Sequence, residues 1–580
     1  MRRFGPLAGS SPRAVAAAAV AAAVFGLTWL FRFNDPNGSF AGLTDDHFFY
    51  VVRGWQILYG DFPVRDFVDN GAPLHYYGAA AVQLLFGRGT LSELAFGATM
   101  IAAGTALTGW LAARASGSIL LGTAGAVILI WLSPRFYNYP KIVVYAAAIP
   151  LLWRYLDRPG RWPRFWLALT TTVAFLLRHD HGVFVACAVV TMLGLQSGVS
   201  WKERVRSGAL YGLLTLALLT PYLTLTELNG GVARHFSDAW EWSSRERERT
   251  EIVWPGLFDY PDGVSDEAKT APARMAAVWV VRDNATAWWY YLELAQPLLA
   301  LVIIAFSVDG FRPDWPRARA KLAVVAVLAA ALDAGFLRSP LAARLADPAV
   351  PHVVLIAWLM TAVPVMFSRL SSWRPALRRW HVGLAVPLGV VSLLLACVVV
   401  ATMSRDLLDR FDNAGLTEGL GRAFRGAAAT ARNVRAEWDL ANWADRADRP
   451  DLITLAMYLQ ACTQPDARVF VQPYIPQVLA LARRPFAGGH ADLRAGFFES
   501  QEQQRLTISR LERQYVPVAL LGESLEGFTQ SFPLVGAYLQ NRFSVAGAHT
   551  FDDRFEITLL LDKGEQPTRR FADLDWPCLV

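Results

Sequence analysis

Two adjacent carboxylates, Asp45 and Asp46, stand in Thr44-Asp45-Asp46-His47, just ahead of a stretch, Phe48 to Leu58, whose apolar residues fall mostly at helical spacing. A carboxylate near a bilayer can take a proton from a hydroxyl or coordinate a cation, and a neighbouring acid raises its pKa. The same residue type also favours the start of a helix as an N-terminal cap, so the pattern alone leaves both roles open. The segment that follows gathers Arg65, Asp66, Asp69, Asn70, His75, Tyr76 and Tyr77. Those groups suit a polar substrate, and the aromatics among them also suit a belt at a membrane interface. Two later turns are again polar and dense: Arg135, Tyr137, Asn138, Tyr139 and Lys141, then Arg178-His179-Asp180-His181-Gly182. Arg and Lys there can hold a phosphate by charge-assisted hydrogen bonds and stabilise charge on a leaving phosphate; Arg178 with Asp180 can equally form a local ion pair. His179 and His181 are two residues apart and lack the i, i+4 spacing of a zinc helix. No metal site and no required cofactor are read from the chain, although the acid pair leaves a divalent cation, Mg or Mn, open.

The elements that must position these residues are membrane helices. The chain has 580 residues, 54% of them AVILMFWYC and only 18% DEKR, with a mean hydropathy of +0.28. One soluble core stops growing near about 250 to 300 residues and cannot bury so much apolar surface. The net charge is 55 − 49 = +6, but the basic residues sit between apolar runs rather than on one surface, which argues against nucleic acid. Four cysteines lack CxxC or CxxH spacing, against a zinc module or iron–sulfur cluster. Apolar runs from Ala14 to Leu30, Leu94 to Ala112, Ile119 to Leu132, Ile142 to Trp153, Phe165 to Leu177, Val183 to Leu195, Gly208 to Leu225, Leu292 to Phe306, Leu322 to Leu337, Val353 to Phe367 and Val382 to Val400 predict about eleven spans. The first reads as an uncleaved signal anchor behind Arg2, Arg3 and Arg13. Pro73 to Phe86 is apolar but short; reading it as an interfacial helix puts Arg154, Arg158, Arg161, Arg164, Lys202, Arg204, Arg206, Arg317, Arg319, Lys321, Arg374 and Arg378 on the side of the N-terminus, as the positive-inside rule requires.

Residues 1 to 403 then form a transmembrane domain, and residues 404 to 580 an extracytoplasmic domain with the N-terminus cytoplasmic. In that final part Val469 to Val471 reads as a buried strand, Pro476 to Arg484 as a helix, Val516 to Leu521 as a second strand, and Phe555 to Leu561 as an alternating strand near a hairpin. The expectation is a small α/β domain. Phe486-Ala487-Gly488-Gly489-His490 reads as a loop whose glycines permit a close approach. Arg338, Arg344 and Asp347 fall just outside the ninth span, and Asp333 near its outer end, where an ionisable residue faces a polar cavity. Cys462 and Cys578 are the exported cysteines, and an oxidising compartment permits them to pair.

Thr44-Asp45-Asp46-His47-Phe48-Phe49-Tyr50, Leu58-Tyr59-Gly60-Asp61-Phe62-Pro63 and Gly71-Ala72-Pro73-Leu74-His75-Tyr76-Tyr77 resemble the first outer loop of the GT-C glycosyltransferases, in particular the lipid A aminoarabinose and protein O-mannosyl transferases. The resemblance covers about Ala14 to Leu225. It implies juxtamembrane helices in the first loop, a polyprenyl-phosphate sugar donor, an acceptor on the outer face and inverting displacement. Asp45 would be the base toward the acceptor hydroxyl and Asp46 its support. It would place the chain in cell-envelope glycan biosynthesis as a multi-pass protein of the bacterial inner membrane, acting on a glycan, lipid or protein acceptor. Two departures stand out. The family's second outer loop usually supplies an acid where this chain has Tyr137-Asn138-Tyr139-Pro140-Lys141, and a lysine ahead of the first-loop proline is replaced around Asn70 and Gly71; Lys141 and Arg178 would take over phosphate contact. The alternatives are a ligase using a lipid pyrophosphate carrier, a transporter or flippase of lipid-linked sugars, and an envelope-assembly scaffold, which would tolerate loss of Asp45.

Overall fold

The computed structural model describes residues 12–35, 41–196, 198–248, 254, 256, 282–306, 315–337, 344–368, 407–444, 450–551 and 555–580. The expected span from Val382 to Val400, the boundary near residue 404 and Arg338 lie outside the described residues. The protein is largely helical with a small C-terminal sheet. It divides into two compact units, neither continuous in sequence: residues 1–35, 97–220 and 250–427, and residues 36–96, 221–249 and 428–580.

The first unit is helical. The apolar runs become α1 (Pro12–Asn34), α4 (Thr90–Ser116), α5 (Ile119–Leu132), α6 (Tyr139–Asp157), α7 (Arg161–Leu177), α8 (His179–Gly194), α9 (Trp201–Leu228), α11 (Arg282–Phe306), α12 (Trp315–Phe336) and α13 (Ala349–Ser368). Among the described residues four helices are long and apolar enough to cross a membrane by length and composition, within α1, α4, α9 and α11; α5, α8 and part of α13 are shorter apolar helices. Lipid offers no partner to backbone polar groups, so the chain satisfies them along each helix, and the threonines follow: Thr28, Thr108 and Thr171 each donate to the carbonyl four residues back. Small residues permit close helix contact. A Cβ at Gly122 of α5 would stand 2.5 Å from the Cβ of Ala113 on α4. The core of this unit runs through Tyr145, Ile149, Val185, Val189, Val324, Leu328, Val354 and Leu355. Lys321, from one of the basic clusters, reaches Asp157 at 2.7 Å.

In the second unit α2 (Asp45–Leu58) and α3 (Pro73–Phe86) pack on each other. The approach is close: a Cβ on Gly54 would lie 2.9 Å from Ala79 Cβ and from the Ala80 nitrogen. Pro73 starts α3 where a proline fits, at the first helical position. The chain from α14 (Leu420–Trp438) onward adds α15 (Asp451–Cys462), α16 (Pro476–Ala482), α17 (Gln501–Leu511), α18 (Leu525–Ser531) and α19 (Pro533–Arg542). They accompany a sheet ordered β1 (Val469–Val471), β2 (Val518–Leu521), β4 (Phe555–Asp562), β3 (Phe543–Phe551). β1 and β2 are parallel and buried throughout, as continuous apolar runs require; β4 joins antiparallel and closes a hairpin with β3. A second pair, β5 (Arg569–Phe571) and β6 (Trp576–Cys578), carries Cys578, which forms a disulfide with Cys462 at the end of α15. The three expected strands thus form, the second starting at Val518 rather than Val516, the expected 476–484 helix ends at Ala482, and the cysteines do pair.

The first loop and the C-terminal segments belong to the same unit because polar contacts join them. Arg468 grips Asp61 with two bonds of 2.6 and 2.9 Å. Gln56 donates to the Phe486 carbonyl at 3.0 Å, Tyr59 to that of Arg483 at 3.1 Å, and the Val68 amide to Gly489 at 3.0 Å. Gly488 and Gly489 adopt φ of +67° and +86°, the left-handed region that glycine enters without a steric penalty. The glycine pair therefore turns the 486–490 loop against the first loop.

Candidate functional site

Helix α2 begins at Asp45 with Thr44 as its N-cap, and no side chain caps it. Asp45 and Asp46 lie in its first turn, where the helix dipole favours negative charge. Neither is the cap, so the two carboxylates are separated by what else they touch. Asp46 accepts a hydrogen bond of 3.0 Å from the Tyr474 hydroxyl. Tyr474 lies after β1, its ring 6.2 Å from that of Phe49 and 5.0 Å from the Arg494 guanidinium. Burial, then the charge of Asp46, pushes the Tyr474 pKa well up, which keeps the hydroxyl a donor. Asp45 is exposed, and among the described residues its carboxylate makes no hydrogen bond or ion pair. Its pKa is raised, first by partial desolvation and second by the charge of Asp46. One acid is anchored and the other is free.

Around this pair the second unit is locked. Arg53 is buried, lies 3.3 Å from the centre of the Phe49 ring and donates to the Phe49 carbonyl at 3.2 Å. His47 meets Glu93 at 3.3 Å, and Gln83 donates to the same carboxylate at 3.0 Å. Of the residues expected to hold substrate, Arg65 pairs with Asp66 at 2.6 Å. Asp69 caps the turn into α3, accepting from the amides of Gly71 and Ala72 at 2.8 and 3.0 Å and from the Tyr222 hydroxyl at 3.0 Å. The Asn70 amide donates to the Tyr76 hydroxyl at 3.3 Å. His75 and Tyr76 are buried: His75 stacks on Tyr50 with ring centres 3.9 Å apart, and Tyr76 has no exposed surface. Both pack α3 against α2.

The other expected residues belong to the first unit, where Lys141 and Arg178 each meet an acid and Arg135 donates to the Tyr137 hydroxyl at 2.9 Å. Lys141 forms an ion pair with Asp347, whose other oxygen accepts from Asn138 at 3.2 Å. Tyr139 is buried at the start of α6. Arg178 meets Asp180 at 2.8 Å, so the local ion pair forms. Asp180 also lies 3.3 Å from His181, and the Tyr145 hydroxyl meets His181 Nδ1 at 2.8 Å, linking α6 to α8. His179 stacks on Phe175 with ring centres 4.3 Å apart. Asp347, from a distant stretch of sequence, is thus the acid that meets residues 137–141.

Sequence reasoning did not select Tyr474, Arg468, Arg510 or the helix α10 (Val232–Glu248). Nothing near Tyr474 in sequence marks it, because its partner lies 428 residues away. The helix left a signal in Arg234, Asp238 and Trp242, which recur every four residues, with His235 three before Asp238. Asp333 of α12, expected to face a polar cavity, is buried with two residues that sequence reasoning did not select, Glu293 of α11 and His352 of α13, His352 lying 3.3 Å from it.

No protein-family model matches the chain, and no curated protein matches it. Among solved structures it is similar to the crystal structure of ArnT from Cupriavidus metallidurans in the apo state, at 13% sequence identity and a TM-score of 0.40, over 94% of this chain and 97% of that one.

Proposed function

We propose that this protein is a membrane glycosyltransferase that moves a sugar from a polyprenyl-phosphate donor to an acceptor hydroxyl. The observation that carries the reading is the unpartnered carboxylate of Asp45, raised in pKa beside an Asp46 that Tyr474 anchors. The resemblance of the first-loop sequence to that of the GT-C glycosyltransferases supports it. In the reaction Asp45 takes the acceptor O–H proton while that oxygen bonds to the anomeric carbon. The bond from that carbon to the phosphate oxygen breaks, and polyprenyl phosphate leaves with the electron pair, inverting the centre. A base with an elevated pKa holds the proton it receives better than an ordinary aspartate, and such positioned proton transfer contributes roughly 10² to 10⁴ in rate. The chain would be a bacterial inner-membrane protein of about eleven spans with residues 404–580 outside, acting in envelope glycan synthesis. Lys141 and Arg178 are proposed as donor-phosphate contacts that exchange a protein carboxylate for the phosphate; unchanged donor affinity in Lys141→Ala and Arg178→Ala would refute that role.

The decisive experiment measures sugar transfer from a polyprenyl-phosphate donor pool in membranes carrying wild type or Asp45→Asn, with protein level and topology measured in parallel. The expected outcome is a loss of about 10² to 10⁴ in rate with the fold intact. Transfer that survives the substitution returns Asp45 to a helix-end role. One observation favours a second reading, a transporter of lipid-linked sugars: the buried trio Glu293, Asp333 and His352, since ionisable groups within spans mark pathways. A transporter would keep working as Asp45→Asn and fail as Glu293→Gln.

A further inference from the structure

Inside the second unit a cavity of about 100 Å³ opens between the 64–70 segment, α10 and the 490–510 segment. Its polar wall is unusually specified. The Thr507 hydroxyl donates to the Gln503 carbonyl at 3.0 Å, and its oxygen lies 3.0 Å from His490 Nε2. Having spent its one proton, that hydroxyl can only accept, so Nε2 carries the imidazole proton and Nδ1 is a bare acceptor. Burial, helped by the charges of Arg510 and Arg53, lowers the His490 pKa to about 3 and keeps the ring neutral. Among the described residues no protein donor meets Nδ1.

Two arginines, Arg510 and Arg234, stand behind the same wall. Arg510 is 3% exposed, and its Nη2 donates to the Val64 carbonyl at 2.8 Å, yet its Nη1 is buried with no partner. Arg234 pairs with Glu502 through Nη1 at 2.6 Å, while its Nη2 is likewise buried without one. A buried polar atom left unpaired is costly, and native proteins rarely leave one without a purpose. Val64 and Phe498, both lining the cavity, hold φ of +72° and +58°, a region non-glycine residues enter where the surrounding structure imposes it. Trp242 supplies an aromatic face, its ring 5.8 Å from that of Phe497.

An anion would meet the carboxylates of Asp69 and Asp238, which line the same cavity. A neutral polyhydroxyl compound donates and accepts at once and offers C–H faces to Trp242 and Phe498. We infer that this cavity is a saccharide subsite that holds the acceptor, with His490 Nδ1 accepting a hydrogen bond from a sugar hydroxyl and Trp242 and Phe498 meeting the sugar's C–H faces. The assignment to the acceptor rests on the transfer reading above; saccharide binding itself does not.

The test is saturation-transfer difference NMR on the full chain in nanodiscs. The probes are methyl α-mannoside, methyl β-galactoside and N-acetylglucosamine, with inorganic phosphate and glucuronate as the anionic arm. Expected is binding of at least one neutral glycoside, weakened about tenfold or more in Trp242→Ala and in Asn70→Ala, half-buried lining positions whose loss leaves the Arg468 and Arg510 contacts in place. Asp45→Asn should bind as wild type. The inference is overturned if no neutral glycoside binds, if both variants bind as wild type, or if phosphate or glucuronate displaces the sugar. In the transfer assay Trp242→Ala should raise the acceptor KM with kcat kept; a raised donor KM instead refutes the acceptor assignment. Cavity-dependent binding without Asp45-dependent transfer keeps the subsite and sinks the transferase reading. Asp45-dependent transfer without cavity-dependent binding does the reverse.

Discussion

The charged groups of the two units are organised on different terms. In the first unit Lys141 has Asp347, Arg178 has Asp180, Lys321 has Asp157 and His352 has Asp333. In the second unit Arg468 holds Asp61 and Arg65 holds Asp66, but Asp45 faces a like charge and no partner. The difference teaches where each charge can be chemical. A charge taken out of water needs a counter-charge for the protein to tolerate it, so a paired one is first structural. A carboxylate at a helix start reaches water and keeps its proton affinity available.

The largest test of that contrast is Asp347→Ala. It strands Lys141 without its acid, and breaking a largely buried pair costs about 3 to 5 kcal/mol. Thermal melting of the purified chain should fall accordingly, and an unchanged melting temperature would mean that the pair is incidental. Next is the pH dependence of the second unit. His490 has a folded pKa of about 3 against an ordinary 6.5. Between those values the unfolded chain binds a proton that the folded chain lacks. Stability is therefore full above 6.5 and is lost as pH falls toward 3, at up to about 1.4 kcal/mol per pH unit. Melting between pH 7 and 5 should fall less steeply in His490→Gln than in wild type; equal slopes would place the cause elsewhere.

A smaller effect sharpens the roles of the acid pair. Asp46→Asn removes the second cause of the raised Asp45 pKa, so the acid limb of the pH–rate profile should move to lower pH. A limb that stays in place would show that Asp46 does not tune Asp45. The smallest effect belongs to Arg65→Ala. That side chain is nearly half exposed, and a surface pair contributes about 0 to 1 kcal/mol. A stability loss beyond that range would mean that Arg65 supports the first loop in some other way.

Much of the fold was legible from the chain because the bilayer and the strand period constrain it locally. Ile119–Leu132 and Pro73–Phe86 form helices over the expected residues, and Val469–Val471 is a strand over its whole expected length. Helix α10 escaped notice because charge dilutes its apolar face. Asp45 was legible as a candidate, but its freedom was not. That depends on Tyr474 reaching Asp46 instead, a contact 428 residues apart in sequence. His75 and Tyr76 read as substrate contacts because polarity marks a residue as able to bind, whereas packing decides whether it is exposed.

The sequence by itself determined that the chain is a multi-pass helical membrane protein with a small α/β part, and that Asp45 and Asp46 stand together at a helix start. Apolar run length, strand alternation and residue adjacency are local properties, and they survive whatever the chain does elsewhere. Only the tertiary structure decided which acid is anchored, that Lys141 pairs with Asp347, and that Thr507 faces Nε2 of His490. Each of these follows from a hydrogen bond or ion pair whose partner becomes a neighbour only after folding.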